Sequence, residues 1–220
     1  DGQYDADSYT KLLIHSDTTD ENTTFVDSSN SSHTFTVAGD SQHKTAQAKI
    51  GATSIYFDGT GDAITATGTL GDFNFGSGDF TIDYWQYTTT VTAGDRVYNI
   101  GEGDGPPMQH FVRSATNANE HVKIGFGGST YWLKSSSNDM QDGAWHHWAI
   151  VRNGTSLTMY VDGVSKDSET ISGSFDYQTD APMHLGSYYT NNSSENYTGY
   201  LDEFRVSKGI ARWTSNFTVY

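Results

Sequence analysis

The stretch Asp79-Phe80-Thr81-Ile82-Asp83-Tyr84-Trp85 alternates without a break. Phe80, Ile82 and Tyr84 fall on one face of an extended chain, and Thr81, Asp83 and Trp85 on the other. Successive side chains of a strand point to opposite faces, so the pattern predicts a strand with one face in a core. Similar runs lie on either side, at residues 11–15, 54–57, 63–66, 96–100, 109–113, 122–126, 130–133, 145–152, 156–161, 183–186 and 200–206. Turn signals separate them. Asp58-Gly59-Thr60-Gly61-Asp62, Asn153-Gly154 and Asp162-Gly163 each predict a hairpin. Residues 208–212 alone read as helical, for a single turn.

Many short strands between Gly, Asp and Asn turns predict an all-β chain, a sandwich or a barrel. Composition agrees. Hydrophobic residues make up 35% of the chain, aromatic ones 14%, and the acids are mostly Asp, a turn former, rather than Glu, a helix former. No linker splits the chain and no repeat of 20–50 residues is visible. The expected organisation is a linker or tail over 1–9 and one domain over 10–220.

Charge narrows the function classes. The 12 Lys and Arg face 27 Asp and Glu, a formal charge of -15. Such a chain is a poor partner for a nucleic-acid backbone or an anionic membrane surface. No apolar run approaches the roughly 20 residues that span a bilayer, and Asp1-Gly2-Gln3-Tyr4-Asp5 does not read as a signal peptide. With no Cys there is neither a disulfide framework nor a thiolate metal site.

Five motifs in order resemble a known family. Residues 80–85 are similar to the "FTIEFW" strand of the laminin-G-like, concanavalin A-like jelly rolls. Trp145-His146-His147-Trp148-Ala149 resembles their "WHHVA" strand, and Leu157-Thr158-Met159-Tyr160-Val161-Asp162-Gly163 their "LxLYVDG". Gly199-Tyr200-Leu201-Asp202-Glu203-Phe204-Arg205-Val206-Ser207 resembles the closing "GYIDEVRIS", and Phe57-Asp58-Gly59 also fits. The resemblance implies a single antiparallel β-sandwich, a jelly roll with a concave and a convex face. It also implies an extracellular, cell-surface or virion-surface setting, such as an adhesin, a polysaccharide-degrading enzyme or a phage fibre.

Two functions follow from it as expectations. One is a non-catalytic, lectin-like module that binds a glycan or polysaccharide. The other is a structural decoration, spacer or subunit of a surface assembly without a ligand of its own. Catalysis is not expected. The glucanases of this fold carry Glu-x-Asp-x-x-Glu on a strand, and Glu102-Gly103-Asp104-Gly105-Pro106-Pro107 lacks the last acid and reads as a loop. His146 and His147 are adjacent, so they face opposite ways, and the motif makes them structural.

The resemblance carries a structural calcium onto Asp17, Asp27 and Asp202, with backbone carbonyls near Gly39 and Asp40. The plainer alternative is that these carboxylates cap turns and accept hydrogen bonds. Asp58 and Asp62 are a second candidate, against plain hairpin chemistry. Sugars bind on aromatic rings flanked by polar groups. Trp85, Trp145 and Trp148 sit inside family motifs and are expected in the core. Tyr131, Trp132, Tyr188, Tyr189 and Tyr197 lie outside or beside the motifs and are the candidate ligand residues, with packing as the alternative. Asn-x-Ser/Thr triplets, such as Asn22-Thr23-Thr24, are read as polar turn chemistry. The high like charge predicts an isolated domain that is monomeric or weakly associated, with multivalency supplied by a larger carrier.

Overall fold

The hairpin turns set the register. Val161 pairs with Val164, leaving Asp162 and Gly163 as a two-residue loop. Both have positive φ, 51° and 73°. That is the type I′ geometry whose twist matches paired strands, and it explains the Asp-Gly dipeptide. The computed structural model describes residues 4–68, 70–101, 108–112, 120–126, 129–135, 139, 141–176, 181–189 and 195–219.

Among the described residues fifteen strands follow one another: β1 (Thr10–Ile14), β2 (Thr34–Ala38), β3 (Gln42–Lys44), β4 (Ser54–Asp58), β5 (Ala63–Thr67), β6 (Phe80–Tyr87), β7 (Arg96–Ile100) and β8 (Met108–Val112). Then come β9 (Glu120–Phe126), β10 (Ser129–Lys134), β11 (Trp145–Asn153), β12 (Ser156–Val161), β13 (Val164–Thr170), β14 (Met183–Leu185) and β15 (Thr198–Lys208). They form two antiparallel sheets. The eight-stranded sheet runs β13-β12-β11-β6-β15-β4-β3, with β1 also paired to β15. The seven-stranded sheet runs β10-β9-β8-β7-β14-β5-β2. The jelly-roll sandwich expected from the motifs is the architecture observed.

Between the sheets lies one apolar core. Phe80, Ile82 and Tyr84 of β6, Trp148 and Ile150 of β11 and Phe204 of β15 meet Tyr98, Ile100, Met183 and Leu185 from the other sheet. Tyr84 stacks on Phe204 at 5.1 Å, and its hydroxyl bonds His110 Nδ1. The alternation read at residues 80–84 is therefore the core face of the strand.

The opposite face of β6 is also covered. Asp83 and Arg205 are directly opposite across β6 and β15. Arg205 donates to Asp83 through Nε at 3.0 Å and Nη2 at 2.8 Å. Burial alone pushes the Asp83 carboxyl up, but the Arg205 guanidinium and the His147 imidazole together outweigh it and hold the group below the usual carboxylate range. Tyr4 lies over the guanidinium at 4.0 Å. Ala149, Val151 and Tyr160 form a small second cluster there with Ala211, Trp213 and Phe217.

Residues 4–9, the described part of the stretch read as a tail, lie against this face. Tyr4 N donates to Glu203 at 2.8 Å, and Arg212 donates to both oxygens of Asp7. The helical turn expected at 208–212 does not form: Lys208 ends β15 and the rest is irregular. Its backbone is satisfied elsewhere, since Thr81 Oγ1 donates to Ile210 O and accepts from Arg212 N.

Removing one partner of a buried ion pair leaves a bare charge and costs about 3–5 kcal/mol. Asp83→Ala is expected to lower unfolding stability by that amount in urea titration. Asp83→Leu combined with Arg205→Met should recover much of the loss. An unchanged midpoint in Asp83→Ala would show that the pair is not holding the two strands.

Candidate functional site

Cross-strand register assembles a row on the outer face of the seven-stranded sheet. Directly opposite residues share a face. Thr36 pairs with Thr65, Thr65 with His184, His184 with Asn99, and Asn99 with Gln109. Gln109 pairs with Lys123, and Lys123 with Trp132 on the edge strand β10. Neighbours in these strands (Ile64, Leu185, Ile100, Met108, Leu133) fill the core, so Thr65, His184, Asn99, Gln109 and Trp132 face away from it.

The middle of the row is nonetheless buried: Asn99 and His184 are 0% exposed and Gln109 2%. Thr65 Oγ1 and His184 Nδ1 are 2.9 Å apart. Asn99 donates both Nδ2 hydrogens, to the carbonyls of Gly101 at 2.5 Å and Tyr188 at 2.9 Å. Those two acceptors fix the amide orientation and, among the described residues, leave Asn99 Oδ1 without a donor. Gln109 Oε1 also has none among the described residues. A buried carbonyl with no donor is costly and calls for a ligand or a water.

Aromatic rings stand at the β10 end of the row and beside its middle. Trp132 is half-buried on the outer side of β10. Tyr188, whose carbonyl holds Asn99, is half-buried, with the Arg96 guanidinium 5.4 Å from its ring. Tyr189 is 42% exposed and meets Tyr188 edge-on at 5.3 Å. Three strand spacings, about 15 Å, separate β10 from β7.

The other two candidate ligand residues lie elsewhere. Tyr131 shares the core-facing side of β10 with Leu133 and packs against the core. Tyr197 is fully buried against Phe57, and its hydroxyl donates to Tyr87 O at 3.1 Å. The register shows why: one step along a strand exchanges the faces, so Tyr131 and Trp132 cannot serve one surface.

Asp17, Asp27 and Asp202 do not fit a shared cation. Asp27 spends its two oxygens on Leu13 N, Ser29 N, Ser29 Oγ and His33 N. Asp202 accepts from Lys49 N, Ile50 N and Glu203 N, and Asp17 from Ala52 N. Asp17 and Asp202 thus tie down the same 49–52 stretch with amide hydrogens, the groups a cation would displace. Burial pushes Asp202 up to about 7 despite these donors.

Among the described residues the acids that do converge are Asp40, Asp58 and Asp62, with one oxygen of each within 4.8 Å of the others. Asp62 is buried in the turn between β4 and β5, and accepts from Asp40 N at 2.8 Å and Asp58 N at 2.7 Å. Asp40 and Asp58 are exposed. Three carboxylates at this separation are the donor chemistry of a hard cation. The hairpin pair Asp58 and Asp62 was legible in the sequence. Asp40 entered there only as a source of backbone carbonyl.

Comparison of the sequence with family models matches residues 58–212, more than half of the chain, to the concanavalin A-like lectin/glucanases superfamily. The chain belongs to that superfamily. Among solved structures, the binding domain of Paraclostridial Mosquitocidal Protein 1 superposes with a TM-score of 0.69 at 17% identity, over 92% of this chain and 49% of that one. The receptor binding domain of botulinum neurotoxin D gives 0.66 at 14%, over 92% and 50%. Domain 4 of AbnA, a GH43 extracellular arabinanase from Geobacillus stearothermophilus solved with arabinotriose, gives 0.66 at 17%, over 93% and 95%. At these identities the likeness is one of fold. The chain spans about half the length of the toxin domains. A comparison with curated proteins finds no match.

Within the superfamily's motifs, the two histidines have structural partners. His146 Nδ1 lies 2.7 Å from Asp162 Oδ2 and Nε2 3.2 Å from Asp142 Oδ1. His147 is buried edge-on to Trp85, Trp213 and Phe217. The sequence candidate at 102–107 lies outside the described residues.

The acid trio gives a pH signature. Burial raises the Asp62 carboxyl to about 6; the amides of Asp58 and Asp40 oppose this, and their negative charges add to it. Asp62 therefore keeps its proton longer when folded than the ordinary 3.8 allows. Its contribution is most favourable below that value and is lost as pH rises through about 6. Asp58→Asn keeps an oxygen for Thr60 N but removes a charge. In this variant the Asp62 midpoint, followed by carboxyl carbon NMR, is expected to move down and the melting temperature near pH 7 to rise. An unmoved midpoint would show that Asp58 does not act on Asp62.

Proposed function

We propose that this domain is a non-catalytic glycan-binding module of a secreted or surface protein, and that ligand lies across the outer face of the seven-stranded sheet. The observation that carries the reading is a pair of buried carbonyl oxygens, Asn99 Oδ1 and Gln109 Oε1, which find no donor among the described residues and lie between Trp132 and Tyr188–Tyr189. Sugar hydroxyls are donors of the required kind, and the rings offer apolar faces to the C–H surface of a pyranose. The row is built of amides, an imidazole and hydroxyls at Gln109, Asn99, His184 and Thr65, whereas glycoside hydrolysis employs a pair of carboxyl groups. The complex of the AbnA domain with arabinotriose supports the same ligand class on this fold.

Calcium enters the proposal at Asp40, Asp58 and Asp62, as a structural ion that would neutralise the charge crowded around Asp62. Native-state binding raises stability by mass action. Melting is expected to shift upward with calcium relative to chelator, and Asp58→Asn to blunt the shift. Identical melting curves would remove calcium from the account.

A glycan array tests the main claim. Binding to one or more neutral glycans is expected, and Trp132→Ala and Gln109→Ala should each weaken it about tenfold, the usual weight of a central aromatic or of a buried hydrogen bond. Failure to bind any glycan would overturn the reading and favour a structural subunit without its own ligand.

A further inference from the structure

The outer face of the eight-stranded sheet carries a second register-built row, made of rings. Tyr56 pairs with Tyr200 across β4 and β15, Tyr200 with Tyr87 across β15 and β6, and Tyr87 with Trp145 across β6 and β11. The ring centroids are 4.9, 5.8 and 5.6 Å apart, with planes at 39°, 75° and 50°. Each residue flanks a core-facing one (Ile55, Leu201, Gln86), so all four rings point away from the core. All four are half-buried rather than covered. Gly199, at φ 147°, brings the backbone against Tyr87 O and the Tyr197 hydroxyl, where a Cβ would sit at 2.5 Å. A larger residue would push Tyr200 out of the row.

The surroundings distinguish this row from an unfinished core. Elsewhere on the same face the side chains are covered: Trp213 and Phe217 pack on Tyr160, Tyr4 lies over the Arg205 guanidinium, and Lys49 lies 4.1 Å from the Trp85 ring. The row of four stays open, and at its Tyr56 end it enters a cleft of about 480 Å³ lined by Asp20, Gln42, Lys44, Asp58 and Tyr200. Lys44 is paired with Glu21 at 3.0 Å.

We infer that this row is a second glycan platform: an extended neutral polysaccharide crosses β4, β15, β6 and β11 with one sugar unit seated in the cleft. Tilted rings alternate faces and edges, which suits a chain of sugars with apolar faces and hydroxyl edges. Carboxylates and an amide beside the rings can take hydroxyl hydrogens, whereas an apolar protein partner would strand them, and protein interface cores are depleted in such charges. A formal charge of -15 disfavours a polyanion. The inference shares its ligand class with the function proposed above, and its cleft borders Asp40 and Asp58 of the cation site proposed there, but the sheet face and the rings are different.

Affinity electrophoresis through gels containing arabinan, β-glucan or mannan tests it. The protein should be retarded by at least one. Tyr200→Ala and Trp145→Ala should each weaken retardation about tenfold, in both the native sequence and a Trp132→Ala background, because separate sites act additively. Tyr200→Phe should keep it, and Val26→Ser, on an exposed apolar side chain elsewhere, should match the native protein. Ladder variants that migrate like the native protein overturn the inference, even when Trp132→Ala weakens binding and upholds the other face. The reverse result, with loss in the ladder variants and none in Trp132→Ala, upholds the ladder and overturns the first site. No retardation in any gel overturns the ladder outright. Should the alanine variants fail to fold, the indole N–H of Trp145 in the unaltered protein, assigned with Trp145→Phe, must shift when oligosaccharide from the retarding polymer is added. An unmoved signal counts against the platform.

Discussion

The fold turns on an ion pair on the wrong side of a sheet. Asp83 and Arg205 face away from the main core, yet Asp83 is fully buried and Arg205 nearly so. Their bidentate contact joins β6 to β15, the two central strands of the eight-stranded sheet. A buried pair of this kind is only as good as its cover, because water would otherwise compete for both charges. The cover comes from Tyr4, Trp213 and the stretch that follows β15. Thus the segments flanking the sandwich are structural elements, although neither forms a strand or helix.

That cover also divides the outer surface. One half of the eight-stranded face becomes a small second core of Ala149, Val151 and Tyr160. The other half keeps its rings at the surface. On the seven-stranded sheet the logic is inverted: polar side chains are buried on the outer face, and rings stand at one edge and beside the central strand. The two faces therefore differ in what they offer a ligand. One presents buried hydrogen-bond acceptors between distant aromatics, and the other presents contiguous aromatics with polar groups at one end.

The motifs made the sandwich legible because period-2 alternation is local. Residues 80–84 announced the core face of β6 outright, and Arg96–Ile100 matches β7 to the residue. Strand β2 escaped notice despite alternating Phe35 and Val37 with threonines, and β3 has only three residues, too few for a period. The site was less legible because it depends on register. Nothing in the sequence says that Tyr56, Tyr200, Tyr87 and Trp145 line up, as they lie on four strands and three of the four sit within or beside motifs that suggest packing. Similarly, Asn99 and Gln109 look like ordinary strand polars until pairing sets them side by side. The acids misled for a related reason: Asp17 and Asp202 do meet at one stretch of chain, but amide hydrogens occupy them.

The position of β15 has a consequence for how the chain reaches this state. Thr10 pairs with Ser207, and β15 also pairs with β4 and β6, all made long before it. During synthesis, therefore, the eight-stranded sheet lacks its middle, and β1, β4 and β6 wait with bare edges until residue 208 has left the ribosome. Folding of that sheet is obliged to be a late, concerted closure rather than a progressive zippering, and topologies so rich in distant pairing are slow. In the interval, unpaired edges invite association between nascent chains. The surplus of negative charge along the chain is well suited to keeping those unfinished chains apart.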